Sequence, residues 1–354
     1  MFGKIKSLFS TDIGIDLGTA NSLVYAKDRG IVLREPSVVA IQAGSKRVLA
    51  VGEEAKRMLG RTPGNIVAIR PMKSGVIADF DITEAMISYF IRKVSPKRFY
   101  SNMKCARPRM VIAVPSGITE VEKRAVEDAA QNAGAGRVFL IEEPMAAAIG
   151  AGIDIFSPKG AMVLDIGAGT SNMLVTSLGK LVKSTSIKVG GDKFDAAIVR
   201  YFKRQHGIVI GVTAAEELKI RFGSAYPRKE EILMDVKGRS LGGGLPLALQ
   251  LGSNEITYAL SEPLRAIVEE LKDALEQTPA ELCGDITETG ICLTGGSAQL
   301  YGLDKFISEQ TGVPCYVAED PASCVAIGAG RVLEDVKLYR NVLYDYRRGD
   351  YYEA

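Results

Sequence analysis

The sequence predicts an α/β protein built as two versions of one plan. Strand-like and helix-like segments alternate along all 354 residues, the pattern of a layered α/β fold. The stretch "GIDLGTANSLVYA" (14–26) returns as "VLDIGAGTSNMLV" (163–175), which sets Asp16 and Asp165 149 positions apart. No low-complexity linker divides the chain, so the halves read as a duplicated domain.

The elements follow in order. The first Asp-Gly-Thr stretch is a strand, a tight turn and a returning strand. "DITE" at 81–84 reads as a capping box opening a helix through "AMISYFIRKV". "RMVIAV" is a strand ending at Val114; Thr119 and Glu122 then form a capping box, and the helix stops at Gly134. A strand over Val138 to Ile141 follows, with Pro144 suited to the first turn of the next helix. This strand-helix-strand length suggests a parallel, right-handed crossover. After the second Asp-Gly-Thr turn come a meander ("LVKSTSIKVGG"), helices near 191–205 and 213–222, and a hairpin-like region in "EILMDVKGRSLGGGLPLALQL". A long amphipathic helix near 254–276 leads into "ICLTGGSAQL", and "ASCVAIGAGRVL" forms a last helix rich in Ala and Gly.

Composition narrows the function. The 44 basic residues against 42 acidic leave a net charge of +2, which gives no global electrostatic case for nucleic acid. The five cysteines are odd in number, scattered and without a CxxC pair, as in a cytosolic protein with reduced thiols. A single histidine, His206, and no Cys cluster argue against a zinc site or a Ser-His-Asp triad. No run reaches the roughly 18–20 apolar residues of a membrane-spanning helix. The first ten residues are too short for a signal peptide, so the chain is expected to stay inside the cell.

The repeated turn suits a phosphate. Gly18, Gly167 and Gly169 let the backbone bend sharply and approach a ligand closely. The N–H groups of Thr19, Ala20 and Asn21 on one side, and of Thr170 and Ser171 on the other, can converge on anionic oxygens. Asp16 and Asp165 suit a hydrated Mg²⁺, which takes one or two carboxylates plus water and phosphate oxygens. One such hairpin is more often a plain structural turn; two copies facing each other could clamp a polyphosphate.

Five segments in this order, "IDLGTANS", "LIEEPMAAAIGAG", "LDIGAGTSN", "LTGGSAQL" and "CVAIGAG", resemble the phosphate loops, connecting helices and adenosine loop of the actin/Hsp70/sugar-kinase superfamily. Within it, "DIGIDLGTANSLVY", "GIVLREPSVVA", "AVGEEAKRMLGRTPGNIVAIRPMKSGVIADF" and "VPSGITEVEKRAVEDAA" resemble the MreB family of bacterial actins almost continuously, over about residues 1–335. The resemblance implies an actin-like ATPase fold, two duplicated lobes around a nucleotide cleft. Its expected layout is lobe I at 1–145 with an insert near 33–72, and lobe II at 146–318 with an insert near 182–252. A returning helix at 319–335 and a C-terminal tail at 336–354 complete it.

The resemblance also implies ATP and Mg²⁺ as cofactors and weak ATP hydrolysis coupled to filament dynamics. Glu143 would orient or deprotonate the attacking water with Thr170 helping to place it, while Asp16 and Asp165 hold the metal through water. Glu142 is better read as favouring a helix N-terminus. The nucleotide would be held by Gly18, Thr19, Ala20, Asn21, Gly167, Ala168, Gly169, Thr170, Gly191 and Asp192. Glu216, Glu217, Leu218 and Lys219 would reach the nucleoside, with Gly295, Gly296, Ser297 and Ala298 closing the other side. Three departures stand out: Ala168 where the family usually has Gly, Asn172 where it has an acidic residue, and Ser297 in "GGSA" in place of "GGGA". An Ala is cheap at negative φ and strained otherwise, so Ala168 and Asn172 bear on the hydrolysis rate.

The implied partners are further copies of the chain in filaments, MreC-, MreD- and RodZ-type proteins, and the wall-synthesis machinery that sets rod shape. The inner membrane surface is a further expected partner. On a helical wheel Met1, Phe2, Ile5, Leu8 and Phe9 fall within about 120°, flanked by Lys4 and Lys6, as in an interfacial helix. Phe99, Tyr100 and Met103 would form a second membrane contact. The expected location is cytoplasmic, peripheral on the inner face of the cell membrane. Alternatives kept open are a slow or non-hydrolysing co-assembling paralogue and a small-molecule kinase of the same superfamily.

Overall fold

The computed structural model describes residues 12–45, 47–59, 64–73, 75–94, 107–345 and 350–351. The first repeat begins as an antiparallel meander of β1 (Ile13–Leu17), β2 (Asn21–Ala26) and β3 (Gly30–Pro36). A small sheet follows, made of β4 (Val39–Gln42), β5 (Val48–Val51) and β6 (Ile66–Ile69), with the one-turn helix α1 (Glu53–Lys56) between the last two. A short hairpin, β7 (Met72–Lys73) and β8 (Val76–Ile77), leads to α2 (Phe80–Val94). The chain then returns to the main sheet through β9 (Arg109–Val114), α3 (Glu120–Asn132) and β10 (Arg137–Glu142), and enters α4 (Glu143–Gly150). β9 runs parallel to β1 on one side and β10 on the other. Its five buried residues in a row, from Met110 to Val114, are what a strand covered on both faces requires.

The second repeat uses the same order. β11 (Ala161–Ile166), β12 (Ser171–Ser177) and β13 (Lys180–Ile187) form the meander. Next come α5 (Gly191–Gln205), β14 (Ile208–Val209), α6 (Val212–Phe222) and the hairpin β15 (Leu233–Ser240) with β16 (Pro246–Gly252). Then α7 (Asn254–Glu276) and α8 (Ala280–Thr289) lead to β17 (Ile291–Thr294), α9 (Leu303–Thr311) and β18 (Cys315–Val317). The chain closes with α10 (Cys324–Glu334), β19 (Leu343–Asp345) and β20 (Asp350–Tyr351). The sheet order β13-β12-β11-β17-β18 repeats β3-β2-β1-β9-β10, with β17 parallel to β11 as β9 is to β1. The duplication read from two short motifs is thus a duplication of whole sheets.

Local chemistry accounts for the element ends. Thr119 and Glu122 form the expected reciprocal capping box on α3. At α2 the cap differs from the "DITE" expectation: the helix already includes Phe80, and the N–H of Ile82 donates to the Asp79 carboxylate at 3.2 Å. Asp81 therefore lies inside the first turn, where a carboxylate favours the helix dipole without capping it. Sequence reading also passed over α8, whose only buried residue is Ile286, so it carries no apolar stripe to recognise.

Three further expectations shift. β3 and β13 each complete a main-sheet meander, so the small sheets begin later than residues 33 and 182. The C-terminal segment is partly sheet: β19 pairs antiparallel with β10. Asp345 is buried and salt-bridged to Arg137, and the Lys123 ammonium sits 3.7 Å from the Tyr344 ring centroid.

Between the two main sheets lies a core of α4 and α10 with Val111, Phe139 and Ile141 from one side and Val163 and Leu174 from the other. The helices touch backbone to backbone. A Cβ at Gly150 would lie 1.8 Å from the Cys324 carbonyl oxygen, and one at Gly328 the same distance from that of Ala146. Only glycine permits these two approaches.

Candidate functional site

The two Asp-Gly-Thr turns face one cavity of about 700 Å³. Asp16 stands next to last in β1, beside Leu23 of β2 and Ala113 of β9; Asp165 stands next to last in β11, beside Asn172 and Thr294. Matching sheets thus deliver matching carboxylates from opposite walls. The lining takes in Asp16, Gly18, Thr19, Ala20 and Asn21 of the first turn, and Asp165, Gly167, Ala168, Gly169 and Thr170 of the second. Glu143, Gly191, Glu216, Lys219, Gly295, Gly296 and Ser297 complete the expected set that lies there.

Five expected residues lie off the lining, among them Ser171, which is buried and donates its hydroxyl to the Val189 carbonyl at 2.7 Å. Leu218 and Ala298 are buried in the hydrophobic core of the second repeat. Glu217 is exposed, one position round the helix from Glu216. Asp192 turns outward to an ion pair with Arg70 at 3.0 Å. Phe2, Ile5, Leu8, Phe9, Phe99 and Tyr100, the expected membrane residues, lie outside the described residues.

The structure adds residues that the sequence did not point to. Arg34, Glu53, Lys56, Leu300 and Pro321 also line the cavity. Lys56 reaches Glu216 at 3.4 Å, and Arg34 reaches Asp320 at 3.0 Å. With Arg70–Asp192, these pairs join the first repeat to the second around the rim. Each partner is partly exposed to solvent, so each pair is worth about 1 kcal/mol or less.

Both loops are held by backbone-directed hydroxyls. Ser37 donates to the Gly18 carbonyl at 2.6 Å, and Ser297 donates to the Gly167 carbonyl at 3.0 Å. Thr19 Oγ1 accepts from the Gly75 N–H at 3.2 Å. Ala168 has no left-handed φ, so its methyl adds no backbone strain. Lys219 donates to the Gly191 carbonyl at 3.0 Å and pairs with Asp195 at 2.8 Å, tying α6 to the start of α5.

The carboxylates are under electrostatic load. Burial, reinforced by the nearby Asp165, pushes Asp16 up to about 7. Burial pushes Asp165 up to about 6 against hydrogen bonds from Thr294 and Asn172. Glu143 lies well above its ordinary range through burial and then the charges of Asp16 and Asp165, with Asn172 opposing. Three carboxyl groups held in one cavity, with no cationic side chain paired to them among the described residues, are suited to a bound cation. No cluster of three or more His, Cys, Asp or Glu with metal-holding geometry occurs among the described residues. The donor set therefore fits a hydrated Mg²⁺ sharing its shell with phosphate, and does not fit a caged metal. The adjacent Glu142 serves differently: its Oε2 accepts from Ser116 at 2.6 Å and stands 2.9 Å from Ser184 Oγ.

Residues 10–341 match the family described as MreB/Mbl protein. The chain belongs to the MreB/Mbl family. It is 53% identical over 348 residues to the cell shape-determining protein MreB of Escherichia coli (strain K12), covering 97% of this chain and 99% of that one. It is 51% identical over 331 residues to the cell shape-determining protein Mbl of Bacillus subtilis (strain 168), covering 93% and 97%. Among solved structures, MreB 5 of Spiroplasma citri bound to AMPPNP superposes with a TM-score of 0.86 at 35% identity, over 93% of this chain and 97% of that one. The same Spiroplasma protein bound to ADP gives 0.87. The MamK double helical filament, at 19% identity and a TM-score of 0.77, shares the fold. The MreB/Mbl fold is thus the actin-like two-lobed fold, and the cavity between its matched sheets is the cleft of that fold.

Proposed function

We propose that this MreB/Mbl-family chain is an ATP-dependent, self-polymerising cytoskeletal protein that determines cell shape by organising peptidoglycan synthesis. Its filaments would lie on the inner face of the cell membrane. The observation that carries the reading is the pair of equivalent aspartates, Asp16 and Asp165, presented by two equivalent sheets to one cavity. A relative solved with AMPPNP and with ADP supports a nucleotide there, and relatives named for cell shape support the cellular role.

Asp16 and Asp165 would hold Mg²⁺ through water, and the metal, when bound, neutralises charge on the phosphates. The N–H groups of residues 19–21 and 170–171 receive phosphate oxygens. Glu143, on the lining and held by Asn172, accepts a proton from or orients the attacking water. Thr170 supplies a second contact to it. Because phosphoryl transfer rests on positioning and electrostatics, one carboxylate of raised pKa suffices as the base. Glu216 and Lys219 face the nucleoside end, and Gly295 to Ser297 cover it. The Gly-notched crossing of α4 and α10 acts as the hinge through which nucleotide state sets the angle between lobes. The N-terminal segment adds weak membrane attachment per subunit, summed along a filament. No helix among the described residues is long and apolar enough to cross a membrane.

The decisive experiment is sedimentation with ATP, ADP or no nucleotide, with phosphate release followed in parallel. ATP-dependent pelleting with release is expected. Glu143→Ala should keep ATP bound while release falls about a hundredfold or more. Unchanged turnover in that variant, or no nucleotide binding by the unsubstituted chain, sinks the reading.

A further inference from the structure

Glu142 and Glu143 stand side by side where β10, an interior strand of the seven-stranded sheet, ends and α4 begins. Both are held by residues of the other, five-stranded sheet. On β13, Ser184 and Ser186 are two apart and therefore share a face. Ser184 Oγ stands 2.9 Å from Glu142 Oε2 and 2.6 Å from Ser116 Oγ, and its single proton is donated to one or the other while Ser116 donates to Glu142. Ser186 Oγ donates to Asn172 Oδ1 at 2.7 Å, and Asn172 Nδ2 donates to Glu143 Oε2 at 2.7 Å.

The orientation of the Asn172 carboxamide follows from these distances. Turned over, its oxygen would sit 2.7 Å from a carboxylate oxygen, which needs a shared proton. With Glu143 ionised, as a base must be, the amino group of Asn172 faces it, leaving the oxygen for Ser186, the residue directly opposite in the β12–β13 register. Asn172 is fully buried, so water is not at hand to replace either partner. One oxygen of Glu143 is thereby fixed, and the other is left for the cleft.

We propose that Asn172, locked by Ser186, is a positioning residue that holds Glu143 across the boundary between the two sheets. The assignment rests on the hydrolytic reading of Glu143 given above. Asn172 also works against the forces that raise the Glu143 and Asp165 carboxyls. An acidic residue at 172 would remove that donor and add a carboxylate against Glu143. The asparagine is thus an element of the site and not merely a gap in a motif. Because the donor lies on β12 and the acceptor opens the helix that leaves β10, the hold depends on how the two sheets are set against each other.

The test compares the unsubstituted chain with Asn172→Asp, Ser186→Ala and Ser186→Thr, measuring phosphate release against ATP concentration and binding of a fluorescent ATP analogue. Asn172→Asp should lower kcat about tenfold or more, with KM and analogue affinity within about threefold. Ser186→Ala should lower kcat about threefold or more, and Ser186→Thr, which keeps the hydroxyl, should restore it. The serine pair keeps the test decisive should Asn172→Asp fail to fold. Equal kcat in Ser186→Ala and the unsubstituted chain overturns the proposal, as does a loss carried by KM or analogue binding alone. No release from the unsubstituted chain, with the analogue bound, overturns the hydrolytic reading and takes the positioning role with it.

Discussion

The two phosphate-type turns share a backbone plan and differ in what holds them. In the second, Asp165 accepts from Thr294 Oγ1 at 2.9 Å and is backed by Asn172. In the first, Asp16 has no such hydrogen bond among the described residues, and it is displaced further, to about 7 against about 6. Duplication preserved the position of the carboxylate and let its surroundings diverge. One aspartate is anchored by hydrogen bonds from the protein itself; the other has none among the described residues.

The sharpest way to break that comparison is through the glycines. A Cβ at Gly18 would lie 2.4 Å from the Asn21 carbonyl oxygen, whereas one at Gly167 would meet the Thr170 carbonyl oxygen at 3.4 Å. Gly18→Ala should cost about 2–3 kcal/mol in urea unfolding and abolish nucleotide binding; Gly167→Ala should cost under about 1 kcal/mol and keep it. Equal losses would mean that the two turns are mechanically alike.

The carboxylates give the next effect. Both have folded-state pKa values above the unfolded 3.8, so the folded state holds more protons between about 4 and 7. Their contribution to stability is therefore greatest below about 4 and is lost as pH rises through 6 and 7. The slope should reach about 1.4 kcal/mol per pH unit per carboxylate, measured by urea unfolding without nucleotide. Asp16→Asn should flatten the upper part of that curve, near 7, and Asp165→Asn the lower. Magnesium nucleotide should flatten both. A smaller effect is expected from Thr294→Val, which strips Asp165 of its anchor and makes it resemble Asp16. It should cost about 1–2 kcal/mol in the same assay and raise the pH at which Asp165 titrates.

Legibility in the sequence followed the range of the interaction. Asp16, Asp165 and the glycines beside them announce themselves because turn, carboxylate and donors lie within seven residues. Glu216 and Lys219 were found together with Glu217 and Leu218 because they are contiguous in "EELK". Residues three apart share a helix face and those between them do not, which is why the latter two lie off the lining. Lys56 and Arg34 escaped because they lie on α1 and β3, away from either turn in the sequence, and carry no motif of their own. Asn172 was read as a departure from a motif, since its partners Glu143 and Ser186 are defined only by strand register. Thr294 was invisible for the same reason: it meets Asp165 only once β17 lies parallel to β11.

The crossing of α4 and α10 carries one more consequence. Each notch receives a carbonyl from the opposite helix, so a slide of even one residue, about 1.5 Å of rise, would drive a methyl-bearing neighbour into backbone. The joint behaves as a peg in a socket: it forbids translation and leaves swivel as the sole cheap displacement. On the hinge reading proposed above, what passes between the lobes is an angle.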